Sequence, residues 1–196
     1  MSPLIARLPA LLVLLTALSR SMAGALPSDS LYQLHVNLQT SAGRPAALDL
    51  YRGQPTLLAM FYGSCTAACP MLITGMQVYE SRLPPESRAR LRVLLVSFDA
   101  ARDTPAQMTQ LAHEHRIDLS RWTVAAAPKG DARRLAALLG VHYRQLPNGE
   151  FEHSLLITLV DRDGRVVAST ATVVGDDAFQ ARLGAAAADP GGLHPE

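Results

Sequence analysis

The sequence predicts an α/β domain of three layers, with a β-hairpin added at its N-terminal side. Three observations carry this expectation. Two nearly continuous apolar runs, Thr56–Tyr62 and Leu91–Phe98, are bounded by turn residues, as strands buried on both faces require. Helix-start signatures follow them, at Cys69-Pro70 and at Asp103-Thr104-Pro105. The order then repeats strand and helix and ends in a hairpin, the pattern of a sheet covered by helices.

The elements can be taken in order. From Ser28 to Asp49 apolar and polar residues alternate through Leu31, Leu34, Val36 and Leu38, turn at Ser41-Ala42-Gly43-Arg44, and resume at Leu48 and Leu50; this reads as the opening hairpin. After the strand at 56–62, a helix is expected from Pro70, at its first position, to about Leu83, where Pro84-Pro85 stops it. Thr104 caps a further helix running to about His115, with Asp103 as an additional capping acid. Trp122 to Ala126 reads as a strand, Asp131 to Leu139 as a helix closed by Gly140, and Ser154 to Val160 as a strand. Asp161-Arg162-Asp163-Gly164 turns into Val166–Ser169, and the alanine-rich stretch 176–188 reads as a last helix. Residues 189–196 are expected to form a disordered tail.

Ahead of the domain, Arg7, the apolar stretch Leu8–Leu18 and the small residues Ala23-Gly24-Ala25 have the order of a secretory signal. The apolar stretch falls short of the roughly 20 residues needed to cross a bilayer. Residues 1–25 are therefore expected to be a cleaved leader, and residues 28–188 a single exported domain, periplasmic or equivalent. Membrane association follows only if the leader is retained.

Of 18 basic and 17 acidic residues, the leader holds Arg7 and Arg20 and no acid, so the mature chain carries a net charge of −1. Its arginines are scattered and Lys129 is the one lysine, which excludes a nucleic-acid surface. Hydrophobic residues at 48% exclude disorder.

Chemistry is concentrated at Phe61-Tyr-Gly-Ser-Cys65-Thr-Ala-Ala-Cys69-Pro70, which contains the only two cysteines. In a helix or its first turn, positions four apart share a face, with Cβ atoms about 5–6 Å apart. Two sulfurs so placed can reach one metal ion, or each other. The positive end of a helix favours thiolate, and soft sulfur favours Cu(I) or Zn(II) over hard cations. A plain disulfide closing a short loop is the structural alternative.

Two sulfurs leave a copper or zinc site incomplete, and imidazole is the usual complement. His113 and His115 face different sides of their helix, His194 lies in the tail, His35 in the opening hairpin, and His142 beside Tyr143 at an edge. His153 stands immediately before the strand at 154–160, where a side chain can sit at the sheet edge. A lone histidine in such a place is more often structural or solvated than a ligand.

The chain resembles the SCO/SenC family from about Leu31 to Arg165. The residues carrying the likeness are Phe61-Tyr62 with Cys65-x-x-x-Cys69-Pro70, and Val96-Ser-Phe-Asp99-Ala-Ala-Arg102-Asp103-Thr104-Pro105. Trp122-Thr123, Gly140-Val-His-Tyr143, His153-Ser154 and Asp161-x-Asp163-Gly164-Arg165 follow in order. The resemblance implies a thioredoxin-like fold on which Cys65, Cys69 and His153 bind one copper ion, Cu(I) or Cu(II). It also implies delivery of that copper to the dinuclear centre of the cytochrome c oxidase copper subunit, or reduction of that centre's cysteines. A periplasmic thiol reductant or copper donor, and a monomeric state, belong to the same expectation. Thr-Ala-Ala between the cysteines and Ile157 after the His-Ser pair depart from the family's common pattern. Asp99 matches a family acid and reads either as electrostatic or docking support near the metal or as a turn acid. Trp122 and Tyr143 read as core and edge aromatics.

The chief rival is a thiol–disulfide oxidoreductase in which Cys65 attacks and Cys69 resolves, with no need of His153. A peroxiredoxin-like reading lacks the expected Thr three residues before Cys65, where Tyr62 stands.

Overall fold

The computed structural model describes residues 25–65 and 68–189. The expected leader, except for Ala25, and the tail from residue 190 with His194 lie outside the described residues. The elements are β1 (Leu38–Thr40), β2 (Pro45–Ala46), β3 (Thr56–Phe61), α1 (Ala68–Ser81), α2 (Pro85–Arg90), β4 (Arg92–Ser97) and α3 (Pro105–Glu114). They continue with β5 (Trp122–Ala126), α4 (Lys129–Leu139), β6 (Tyr143–Gln145), β7 (Phe151–His153), β8 (Ile157–Val160), β9 (Val166–Thr170) and α5 (Asp177–Ala188).

Seven strands form one sheet in the order β2-β1-β5-β4-β3-β8-β9. The centre, β3-β4-β5, is parallel, and β1, β8 and β9 join it antiparallel. Every residue of β3 is buried, which is why its sequence is a continuous apolar run rather than an alternation. On one face, Phe61 shares a groove with Cys69 and Ile73 of α1 and with Met108 and Leu111 of α3. On the other, Leu31 and Leu48 close over Thr56, Leu58, Leu94 and Val160. Because β3 and β4 are parallel, the turns leaving both emerge at the same end of the sheet, the usual place for a site in α/β folds.

The helix starts follow local chemistry. Thr104 accepts from the Gln107 amide, and the Gln107 side chain returns a bond to the Thr104 backbone, a complete capping box. Gly140 ends α4 in the left-handed conformation.

Several expectations are corrected. The opening hairpin is shorter than 28–49: only Leu38↔Ala46 and Gln39↔Pro45 pair, while Leu31–Gln33 and Leu48–Tyr51 coil into 3₁₀ turns. Those turns aim Leu31 and Leu48 onto the sheet, so their burial comes from packing rather than strand alternation. Helix α1 begins at Ala68, so Pro70 occupies its first turn, where a missing N–H is still harmless. Pro84-Pro85 ends one helix and starts the next: Pro85 takes the first position of α2, with Glu86 in the first turn and Arg88 and Arg90 in the last. The segment 143–153 forms a separate two-stranded sheet, and β8 begins at Ile157 rather than Ser154.

Candidate metal centre

Strand β3 carries the chain into a tight turn, where the Cys65 amide donates to the Tyr62 carbonyl at 3.3 Å. Helix α1 then sets Cys69 in its first turn. The Cys69 amide donates to Cys65 Sγ at 3.3 Å, so an otherwise unpaired helix-terminal N–H points at sulfur. No disulfide joins the two; Cys65 is half-buried and Cys69 buried.

His153 arrives from the far side of the chain as the last residue of β7, opposite Tyr143. Its Nε2 lies 3.8 Å from Cys69 Sγ, and its Nδ1 lies 3.2 Å from the Ser154 carbonyl. A carbonyl can only accept, so we assign the proton to Nδ1, which leaves the Nε2 lone pair facing the sulfurs. The two sulfurs and one ring nitrogen all lie within 4.8 Å of one another. That is close to the spread that coordination bonds of about 2.0–2.3 Å permit around one ion. Among the described residues this is the one group of three or more such donors found together. His35, His113 and His142 are exposed, and His115 sits at the C-cap of α3.

The electrostatics differ from expectation. Burial pushes the Cys69 thiol well above the ordinary cysteine range; the Tyr62 backbone offsets part of this, and the Cys65 sulfur adds to it. Burial thus favours the protonated thiol, and a bound cation is what would displace the proton from this sulfur. An aromatic cage surrounds the imidazole: the rings of Tyr62 and Phe98 each stand 5.5 Å from it, edge-on.

The acids after β4 have specific tasks. Asp103 is not a cap. Its carboxylate accepts the Gly63 amide at 2.8 Å and the Ser97 hydroxyl, tying the Cys65 turn to the end of β4. A Cβ at Gly63 would stand 2.5 Å from the same carboxylate, so a glycine is needed there. Burial raises the Asp103 carboxyl, and the Ser97 and Gly63 bonds partly offset that. Asp99 pairs with Arg102, whose Nη2 donates to the Gly149 carbonyl at 2.8 Å, so it indirectly supports the β6–β7 hairpin. Tyr62, to which the sequence assigned no role at the site, bonds to Glu150 and Phe151 of that hairpin. Trp122 is core, and Tyr143 stacks on Phe98 with centroids 4.4 Å apart.

Comparison with known proteins gives concordant likenesses. A Stutzerimonas stutzeri protein, named as a candidate copper-binding protein, is 28% identical over 127 residues, 62% of this chain and 60% of that relative. The chain thus spans less than two thirds of that relative's length. The solved structure of Arabidopsis thaliana ScoI with copper bound superposes with a TM-score of 0.67 at 16% identity, covering 77% of this chain and 94% of that one. BsSco, described as a member of the Sco family of cytochrome c oxidase assembly proteins with a disulfide switch, gives 0.65 at 19% identity, covering 80% and 94%. These structural likenesses establish the thioredoxin-like fold. Residues 27–187 match the family model described as SCO1/SenC, most of the length of the chain, and the protein belongs to the SCO1/SenC family.

Proposed function

We propose that this chain is a copper carrier that takes one copper ion as cargo on Cys65, Cys69 and His153 and serves the assembly of cytochrome c oxidase. The observation that carries the reading is the convergence of two sulfurs and the His153 Nε2 within 4.8 Å, from segments 84 residues apart. Two thiolates and one neutral imidazole are a soft, three-coordinate set suited to Cu(I), and Cu(II) is accommodated by a further exogenous ligand. A three-coordinate ion leaves one side for an acceptor's ligands to enter before the donor's depart. On this reading residues 1–25 are an export leader, residues 28–188 are the copper domain, and the recipient is the dinuclear copper centre of the oxidase. No helix of the described residues is long and apolar enough to cross a membrane.

The half-buried Cys65 beside the buried Cys69 also favours a second reading, in which Cys65 attacks a client disulfide and Cys69 resolves the mixed disulfide. The client disulfide is then reduced to thiols as Cys65 and Cys69 become oxidised to one disulfide. Anaerobic copper titration of the reduced domain, compared with Cys65→Ser, Cys69→Ser and His153→Ala, tests the first reading. One ion per chain is expected. Loss of His153 should weaken binding beyond the roughly 10–100-fold typical of losing an outer-shell partner. Unchanged affinity in His153→Ala, with intact disulfide reduction, would favour the second.

A further inference from the structure

We propose that the Tyr62 hydroxyl is a positioning group that holds the His153 imidazole against the two sulfurs. The inference rests on the copper reading above for its purpose, but its geometry stands apart from it. His153 lies on a two-stranded sheet that shares no ladder with the seven-stranded one. The nearest ladder to β3 lies four residues on, where Ile157 of β8 pairs with Ala59, so side-chain contacts across the gap are what reach His153 itself.

Tyr62 makes those contacts from the cysteine side. Its hydroxyl stands 3.1 Å from Glu150 Oε2 and 3.3 Å from the Phe151 carbonyl, at the start of the strand that ends in His153. The single phenolic proton serves two acceptors, and both are on the hairpin, so the tether holds whichever takes it. The ring meets His153 edge-on at 5.5 Å and Phe151 at 5.2 Å. Tyr62 is itself fixed: it is 4% exposed, and its carbonyl accepts the Cys65 amide. One residue therefore touches both halves of the site, the cysteine turn through its backbone and the hairpin through its side chain.

Arg102 braces the hairpin tip from another direction through Gly149, but its side chain is 38% exposed. Water can substitute for an exposed donor far more readily than for a buried phenol. Tyr62→Phe keeps the ring packing and removes only the tether.

The test has a metal-free arm and a copper arm. In the reduced, metal-free protein, histidine-ring nitrogen NMR with relaxation dispersion should show His153 broadened by exchange in Tyr62→Phe and sharp in the wild type. In anaerobic titrations, Tyr62→Phe should weaken copper binding by roughly 10–100-fold when His153 is present and leave it unchanged in the His153→Ala background. Unaltered ring dynamics, or equal losses in both backgrounds, would overturn the proposal. If the wild type takes up no copper, the carrier reading fails, and the ring measurement alone decides the tether.

Discussion

Replacing Glu80 by Ala removes the buried acceptor that joins the C-terminal end of α1 to β5. The Glu80 side chain is 7% exposed, accepts the Trp122 indole N–H at 3.1 Å and pairs with Arg121. Truncation strands that N–H on a ring that is 2% exposed, a penalty of about 1–3 kcal/mol. Arg121 keeps Asp118 at 3.0 Å, and this partly exposed pair limits its own loss to about 0–1 kcal/mol. The deleted methylene adds about 0.8 kcal/mol. A destabilisation of about 3 kcal/mol follows for Glu80→Ala, against about 1 kcal/mol for Glu80→Gln, which still offers the indole an acceptor. The assay is urea unfolding of the reduced domain. With a slope near 2 kcal/mol/M, the midpoint should fall by about 1.5 M for Ala and about 0.5 M for Gln. Equal shifts in the two variants would refute the reasoning, since the orphaned indole would then carry no penalty.

Two further outcomes follow from packing and charge. Gly75→Ala places a Cβ 2.5 Å from the Val173 carbonyl oxygen and Cγ1; a backbone atom cannot swing aside, so a loss of about 1–3 kcal/mol is expected in the same urea assay. Full retention of stability would show that the 171–176 segment yields freely. The Asn37 backbone amide, and then Arg134, hold the Asp131 carboxyl below the ordinary carboxylate range. Its stabilisation is present above about pH 4 and is lost as pH falls through the lower folded-state value. The urea-midpoint gap between wild type and Asp131→Asn should therefore close on acidification; a gap constant across that titration removes the argument.

What was legible in the sequence was what local chemistry decides. The Thr104-Pro105 start, the strand at 122–126 and the buried runs leading into β3 and β4 stand where their residues place them, because capping and two-sided burial leave a mark within a few positions. The paired thiols were legible for the same reason. The two-stranded sheet was not: its strands are three residues long, and Tyr143 and Phe151 are apolar because they pack on Phe98, a contact that no local periodicity encodes. His153 lies 84 residues from Cys69, so residue type and neighbours left it indistinguishable from a solvated histidine, and only the family likeness singled it out. The turn Pro147-Asn148-Gly149 between two aromatic positions is the one local hairpin signal in that segment. Asp103 misled because acids commonly cap helices; here its carboxylate turns inward to Gly63 and Ser97, partners supplied by tertiary structure. For Cys69 the proximity to a helix end is visible in a sequence, whereas the burial that raises its thiol is not.

The rims of the large sheet carry a consequence for self-association. One rim is β2, two residues long, and its Pro45 has no N–H to offer a newcomer. The other is β9, whose pairing with β8 is interrupted by an irregularity at Leu159/Val160 and whose Val167 carbonyl accepts from Arg182 at 3.5 Å. Neither border presents a long, flat row of vacant donors and acceptors, so the fold discourages a second chain from extending it strand by strand.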